Sequence, residues 1–228
     1  MLLYYITDRS QFAGDETARR SRLLATVAEA ARCGVDYIQL REKDLSPRDL
    51  EILAREAVQR LRTENQKLKT VFLINSRTDI ALSCGAQGVH LRSNDISPSE
   101  AKNIWTQAAT TPARVTVGVS CHTRAEVASA AREGADFAVF GPVFEKEKAL
   151  SGPTGLNALR EACQEKTPVL ALGGITLENA GACIQAGAAG IAAIRLFQRN
   201  EMGKVVAALR GAKADVRPQT SDLGRPQG

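Results

Sequence analysis

The sequence predicts a single (β/α)8 barrel, a TIM barrel, on three observations. Short apolar segments of strand character alternate eight times with segments of helical periodicity along the 228 residues. This length and a hydrophobic content of 44% suit one barrel with a complete core. A helix end, a glycine, a small residue and a new strand recur about every 50 residues, at Gly34, Gly85, Gly134 and Gly187.

Each of the four glycines is expected to cap a helix in the left-handed conformation just before a strand. Two βα units of about 25 residues fit each interval, so four intervals close an eightfold barrel. A doubly wound open sheet is the competing architecture. The regular interval favours the barrel over the open sheet.

The predicted strands are short runs of leucine, β-branched and aromatic residues that end where polar residues or glycines begin. Nearly continuous apolar character is typical of parallel strands that are covered on both faces. In chain order the predicted strands are 2–7, 35–40, 70–74, 88–91, 115–119, 137–140, 168–172 and 190–194.

The predicted helices have apolar residues at helical spacing and recognisable ends. Gly34 ends the first helix, Pro47 suits the first turn of the second, and Ser97 with Glu100 predicts a capping box. In chain order the helices are 17–32, 47–64, 78–84, one that begins at Ser97, 123–132, 157–165, 177–186 and 202–210.

The barrel domain is predicted to span residues 1–211. Residues 212–228 are rich in proline, glycine and polar residues, and they are predicted to form a disordered C-terminal tail.

Composition narrows the class of ligand. The net charge of +5 favours an acidic small molecule. Nucleic acid is not expected, since the basic residues are not clustered and only 4% of residues are aromatic.

Five cysteines without a CxxC motif indicate reduced thiols in a cytoplasmic protein. The apolar run at residues 1–6 is too short for a signal peptide and lacks a basic lead, so none is expected, and no segment predicts a membrane span. The sequence is compatible with a homo-oligomer.

In a barrel, the carboxyl ends of all strands meet at one mouth, where ligands bind. Arg41 and Lys43 follow the second strand, and two cations there suit a phosphorylated ligand. Gly173 and Gly174 follow the seventh strand and let backbone amides approach a phosphate. The polar strand ends are Thr7-Asp8, Gln39 to Lys43, Asn75, 92–95, Ser120 to His122, Gly141-Pro142, Gly173-Gly174 and Arg195.

Four features at the mouth admit two interpretations. His90 lies within a strand pattern and is expected in the core or behind the site, whereas His122 follows a strand and could touch substrate. Asp95 is either a turn residue or a Mg²⁺ ligand. The charged run 145–148 is a solvated loop or a lid that closes on an anion.

These motifs together resemble the thiamine phosphate synthase/TenI superfamily, from about residue 3 to about residue 197. The segments that carry the resemblance are Tyr5-Ile6-Thr7-Asp8, Gln39-Leu40-Arg41-Glu42-Lys43, Leu73-Ile74-Asn75, Gly88-Val89-His90-Leu91, Gly118-Val119-Ser120-Cys121-His122-Thr123, Gly141-Pro142-Val143-Phe144 and Gly173-Gly174-Ile175.

The resemblance implies an enzyme that couples hydroxymethylpyrimidine diphosphate to a thiazole phosphate through a pyrimidine carbocation, giving thiamine phosphate and diphosphate. It implies Arg41, Lys43, Ser120 and His122 as catalytic residues and Asp95 as the ligand of Mg²⁺. The substrate-binding residues that it implies are Gln39, Leu40, Arg41, Glu42, Lys43, Asn75, Ser120, Lys146, Lys148, Gly173, Gly174 and Arg195.

The chain departs from the pattern of the synthases at three places. Ser76 follows Asn75 where the synthases have a second metal carboxylate. Lys146 and Lys148 lie in the loop where the synthases carry a Thr-x-Thr-Lys motif, and Arg195 stands where they have a serine. The added cations could neutralise the charge that the lost carboxylate's metal would have neutralised.

Two alternatives to the synthase stay open. A TenI-type thiazole tautomerase would use His122 to move a proton without a metal, since histidine is suited to proton transfer near neutral pH. A non-catalytic binder of thiamine precursors would bind the same ligands without turnover.

Overall fold

The computed structural model describes residues 1–63, 69–108, 115–144 and 152–211. Eight parallel strands form a closed barrel in sequential order, which confirms the predicted TIM barrel. The last strand closes on the first with Leu2 opposite Gly190. The strands are β1 (Leu2–Ile6), β2 (Tyr37–Leu40), β3 (Val71–Asn75), β4 (Gly88–Leu91), β5 (Thr116–Cys121), β6 (Phe137–Phe140), β7 (Val169–Leu172) and β8 (Gly190–Ala193).

Helices surround the barrel, and their bounds follow the prediction closely. They are α1 (Glu16–Arg32), α2 (Pro47–Thr63), α3 (Thr78–Cys84), α4 (Pro98–Ala108), α5 (Arg124–Arg132), α6 (Gly155–Ala162), α7 (Leu177–Gln185), α8 (Arg195–Gln198) and α9 (Met202–Gly211). The prediction missed α8, because four residues are too few to show helical periodicity. A 3₁₀ turn at Arg9–Gln11 was also missed.

Local signals placed the helix ends correctly. Gly34, Gly85, Gly134 and Gly187 have φ values of 83°, 70°, 76° and 104°, so all four glycines end helices in the conformation that glycine adopts without steric cost. At the start of α4, the Ser97 N–H donates to a Glu100 carboxylate oxygen and the Glu100 N–H donates to Ser97 Oγ, which is the predicted capping box.

Side chains that alternate along the strands form two cores. One lies between the strands and the helices, and the other fills the barrel interior. In the interior, the ring centroid of Phe137 lies 4.7 Å from that of Tyr37 and 5.3 Å from that of Tyr4. This aromatic layer makes the barrel a packed core beneath the mouth.

Two predictions lie outside the described residues: the lysines Lys146 and Lys148, and the tail 212–228. All five cysteines are free, as expected from their spacing. Among the described helices, none has both the length and the apolar character that crossing a membrane requires.

Candidate active site

Side-chain direction alternates at the carboxyl end of β2 and in the residues that follow it. Gln39 points into the barrel, where its Nε2 donates to the Tyr4 hydroxyl. Leu40 points the other way and is fully buried in the core beneath the helices, so its side chain does not reach the mouth. A substrate contact through the Leu40 side chain is therefore excluded, because neighbouring strand residues face opposite sides, and a contact through its backbone stays a prediction. Arg41 is half-buried at the mouth, and Lys43 is exposed.

Glu42 holds this segment in place. Its carboxylate accepts hydrogen bonds from Thr7 Oγ1 at 2.5 Å, from the Arg9 N–H at 3.0 Å and from Arg9 Nη1 at 3.1 Å. Burial raises the pKa of Glu42, and the bonds from Thr7 and Arg9 oppose that rise. The Arg41 N–H donates to the same Thr7 oxygen at 3.0 Å. With its carboxylate engaged in this way, Glu42 supports Arg41 and is not placed to contact a ligand.

Three cations gather beside this support: Arg41, Lys43 and Arg92. The pKa of Lys43 is lowered first by the charge of Arg41, then by partial burial and by Arg92. Burial lowers the pKa of Arg41 as well. In the described ranges, neither Arg41 nor Lys43 forms an ion pair with a carboxylate. Asp8 and Glu42 attract Arg41 without an ion-pair contact, whereas Lys43 is repelled by Arg41 and Arg92. This local excess of positive charge favours an anionic ligand.

Below the cations, a chain of hydrogen bonds runs through the barrel interior. The Tyr4 hydroxyl lies 2.8 Å from Gln39 Nε2 and 3.1 Å from His90 Nδ1, and His90 Nε2 lies 2.8 Å from Ser120 Oγ. Burial lowers the pKa of His90 to about 3, helped by the charge of Arg41, so the imidazole stays neutral. His90 therefore lies behind the mouth, while Ser120 is partly exposed.

Asp95 is already engaged. Its carboxylate accepts from the Arg92 N–H at 2.8 Å and from Arg92 Nε and Nη2 at 3.1 and 2.8 Å. Burial raises the pKa of Asp95, but the bonds from Arg92 and Ser76 outweigh it and the net shift is downward. Nearby, Asn75 Nδ2 donates to Ser76 Oγ at 3.2 Å, and Ser76 has a left-handed φ of 59°.

This arrangement does not form a magnesium site from protein groups alone. Within the described parts of the chain, no cluster of three metal-ligating side chains exists. Free Mg²⁺ does not fit a single carboxylate that an arginine already holds. A Mg²⁺ ion that arrives with substrate phosphates fits better, since it needs only one or two carboxylates.

A cavity of about 500 Å³ opens between the ends of β7 and β8. Its residues are Asp8, Gln11, 172–176 and 192–196, and Arg195 is among them. Gly173 and Gly174 have φ values of 99° and 64°, a backbone that brings peptide groups close to the cavity without side chains in between. The cavity thus holds three of the predicted phosphate-binding residues: Gly173, Gly174 and Arg195.

His122 is exposed at the end of β5. Its Nδ1 lies 2.6 Å from the carbonyl oxygen of Gly141, and its backbone N–H donates to Glu126 Oε2. Because a carbonyl can only accept, Nδ1 carries a proton and Nε2 is the ring atom at which a proton could be exchanged.

Three supporting residues escaped the sequence analysis: Tyr4, Arg9 and Gln198. Gln198 of α8 accepts from the Asp8 N–H at 3.0 Å and donates to the Asp8 carbonyl at 2.9 Å. The partners of these residues are distant in the chain, so no local motif marks them. Only the inward alternation of β1 could have placed Tyr4 inside the barrel.

Comparisons with known proteins identify the family of this chain. A family model described as thiamine monophosphate synthase matches residues 3–197. The thiamine-phosphate synthase of Methanoculleus marisnigri is 38% identical over 215 residues, covering 92% of this chain and 93% of that protein. The thiamine-phosphate synthase of Clostridium novyi is 36% identical over 202 residues, covering 87% of this chain and 91% of that protein.

A solved structure extends the agreement to three dimensions. The thiamine phosphate pyrophosphorylase from Pyrococcus furiosus superposes with a TM-score of 0.73 at 29% identity, covering 92% of this chain and 94% of that one. The barrel, the mouth and the extent of the match lead to one conclusion: the chain belongs to the thiamine monophosphate synthase family.

Proposed function

We propose that this chain is a thiamine-phosphate synthase, a transferase that joins hydroxymethylpyrimidine diphosphate to thiazole phosphate and releases diphosphate. The observation that carries the proposal is the pair of cations at the mouth, Arg41 and Lys43, neither of which forms an ion pair with a carboxylate among the described residues. The neutral hydrogen-bond chain that ends at Ser120 lies below them. A glycine-lined cavity opens at the same end of the barrel. Two anionic groups and one heterocycle can be bound at such a mouth.

In this reaction the C–O bond to the diphosphate breaks first, and the electron pair leaves with the diphosphate. The thiazole nitrogen then attacks the pyrimidine carbocation and forms the new C–N bond. Arg41 and Lys43 bind the departing diphosphate, and Asn75 lies beside it. Gln39 and Ser120 hold the pyrimidine. A site of this kind accelerates the reaction by stabilising charge and by orienting two substrates, without a protein nucleophile.

The thiazole phosphate is assigned to the cavity at Gly173, Gly174 and Arg195. Support comes from its position between the ends of β7 and β8, where barrels commonly bind phosphate. Lys146 and Lys148 are proposed to add charge from the preceding loop. Their assignment rests on the sequence resemblance alone.

Asp95 is the residue that would hold a Mg²⁺ ion bound to the diphosphate, and the ion would neutralise charge on the leaving group. The carboxylate of Asp95 supports this assignment. A free Mg²⁺ ion would have to displace Arg92 from that carboxylate, whereas an ion that arrives with the diphosphate brings further oxygen ligands. Free Mg²⁺ is accordingly expected to bind poorly.

The substrates and location complete the proposal. The expected partners are small phosphorylated substrates, with no nucleic acid and no membrane. Five free thiols support a cytoplasmic location.

The decisive experiment incubates the purified protein with both precursors, with Mg²⁺ or with EDTA, and measures thiamine phosphate. Product that requires Mg²⁺ and is lost in Asp95→Ala supports the proposal in full. Equal product in EDTA would support the synthase and reject the metal. No product under any metal would reject the synthase.

A second candidate function, thiazole tautomerase, rests on one observation. His122 Nδ1 faces the Gly141 carbonyl, which leaves Nε2 free to accept a proton from a bound thiazole. Interconversion of thiazole tautomers that is abolished by His122→Gln, in a protein that makes no thiamine phosphate, would establish it. Calorimetric binding of the precursors without either product would instead identify a non-catalytic binder.

A further inference from the structure

The hydrogen-bond chain beneath the mouth has a direction that can be determined from its members. Gln39, Tyr4 and His90 are all at least 98% buried, whereas Ser120 at the end of the chain is partly exposed. The chain therefore connects the closed barrel interior to the ligand-binding mouth.

Donors and acceptors are assigned one step at a time. Gln39 Nε2 can only donate, so the Tyr4 oxygen accepts at 2.8 Å. His90 Nδ1, 3.1 Å away, is the remaining partner of the Tyr4 hydroxyl among the described residues. Tyr4 donates to it, because a buried hydroxyl proton without an acceptor would be costly. A neutral imidazole that accepts at Nδ1 carries its proton on Nε2 and donates it to Ser120 Oγ at 2.8 Å.

The last step concerns Ser120. Its oxygen accepts from His90, and its own proton meets no acceptor among the residues that the structure describes. The Ser120 O–H is thus directed away from His90, where a ligand in the mouth can accept it. Bonds in a buried chain also polarise one another in the same direction.

Close packing prevents the His90 ring from turning. Gly118 lies opposite His90 in the sheet, and a Cβ there would lie 2.9 Å from His90 Nδ1. The ring centroid of Phe137 lies 6.2 Å from that of His90 on another side. Reversing the ring would remove both of its hydrogen bonds inside a buried core, which is costly.

We propose that Tyr4 and His90 are positioning residues that fix the Ser120 hydroxyl as a hydrogen-bond donor to the ligand, so that the mouth selects a heterocycle that presents an unprotonated ring nitrogen to Ser120. The proposal rests on the proposed function only in identifying that heterocycle as the pyrimidine. Tyr4 and His90 act through Ser120 and do not touch the substrate.

The first test requires no substrate. In ¹⁵N-labelled protein, long-range ¹H–¹⁵N spectra report the tautomer of each histidine, and the chain has only two. His122→Gln removes the other set of signals and so assigns His90. We expect a neutral ring protonated at Nε2 from about pH 5 to about pH 8, although Arg41 and Asp95 exert opposing charge effects on it. A ring protonated at Nδ1, or a cationic ring, would overturn the proposal.

The second test uses a matched pair of tyrosines on the same strand. Tyr4 and Tyr5 are both fully buried, but the Tyr5 hydroxyl has no hydrogen-bond partner among the described residues. Tyr4→Phe is expected to lower kcat/KM for the pyrimidine diphosphate about tenfold, the size of one lost hydrogen bond, and to admit the other His90 tautomer. Tyr5→Phe should leave kcat/KM and the His90 tautomer unchanged.

A double-mutant cycle separates positioning from general loosening of the barrel. If Tyr4 acts through Ser120, Tyr4→Phe causes no further loss of kcat/KM in a Ser120→Ala protein. An undiminished loss in that background would overturn the proposal. If the wild-type protein makes no thiamine phosphate but His90 is the Nε2 tautomer, the proposed function is rejected and the direction of the hydrogen-bond chain is upheld.

Discussion

Glu42 Oε2 accepts two hydrogen bonds from one residue, the backbone N–H of Arg9 at 3.0 Å and its Nη1 at 3.1 Å. The side chains of both residues are at most 5% exposed. This contact joins the end of β1 to the end of β2, and it places Arg41 next to a rigid support. A charged pair that is buried and fully hydrogen-bonded at an active-site mouth favours precise placement of the neighbouring cation.

Replacing Glu42 should therefore affect both stability and binding. Glu42→Ala leaves the backbone N–H of Arg9 and the hydroxyl of Thr7 without their acceptor, while the Arg9 guanidinium keeps Glu16 and Asp44. We expect the free energy of unfolding to fall by about 1–3 kcal/mol, the cost of leaving buried polar groups unsatisfied. Urea unfolding measures the change. Glu51→Ala, which removes an exposed partner of Arg55, is the control and should show no measurable change. Equal stability of the two variants would contradict the supporting role of Glu42.

The pH dependence of the free energy of unfolding should reveal the ion pair between Asp44 and Arg9. Hydrogen bonds from Arg9 lower the pKa of Asp44 below its ordinary value of 3.8. Such a carboxyl stabilises the fold above the unfolded-state pKa, and this contribution is lost as the pH falls through the folded-state pKa. The wild-type protein should lose more stability than Asp44→Asn between about pH 5 and about pH 2.5.

Urea unfolding at several pH values checks this difference. Glu42, whose pKa is raised, has the opposite sign: its contribution falls as the pH rises from 4.5 toward the folded-state pKa. Both proteins retain Glu42, so the difference between them isolates Asp44. Parallel stability curves would show that the pair with Arg9 is absent in solution.

A methyl group at Gly118 should disrupt the barrel interior. The added Cβ would lie 2.4 Å from Phe137 Cζ and 2.9 Å from His90 Nδ1, so both rings must shift. We expect Gly118→Ala to destabilise the protein by about 1–3 kcal/mol or more. A Cβ added at Gly181 in α7 would meet no neighbouring residue within 4 Å among the described ones, so Gly181→Ala is the control and should be neutral or slightly stabilising. Thermal unfolding compares the two variants.

Arg41 should dominate recognition of diphosphate. Arg41→Ala is expected to weaken diphosphate binding by about 1.5–3 kcal/mol, the range for a hydrogen bond to a charged group, measured by titration calorimetry. Arg20→Ala is the control, because Arg20 pairs with Glu56 between α1 and α2, on the outer layer of helices. Binding that is unchanged in Arg41→Ala, or equally weakened in both, would remove Arg41 from the site.

The sequence by itself determined the barrel. The repeat of glycine caps at Gly34, Gly85, Gly134 and Gly187 and the capping box at Ser97 are local signals, and each was present where predicted. Glycine tolerates the left-handed conformation and serine caps a helix for reasons contained within a few residues. Arg41 and Gly173 could be assigned to the mouth because each follows a predicted strand, and the carboxyl ends of all barrel strands meet there.

Only the tertiary structure decided which side chains serve the mouth and which support it. Leu40 and Glu42 were expected to contact substrate from their motif, yet Leu40 packs beneath the helices and Glu42 binds Arg9. The hydrogen bond between Tyr4 and His90 joins residues that are 86 positions apart in the chain. Such long-range partners depend on the closure of the barrel, because β1 and β4 are not neighbours in the sheet and only the closed interior brings Tyr4 to His90.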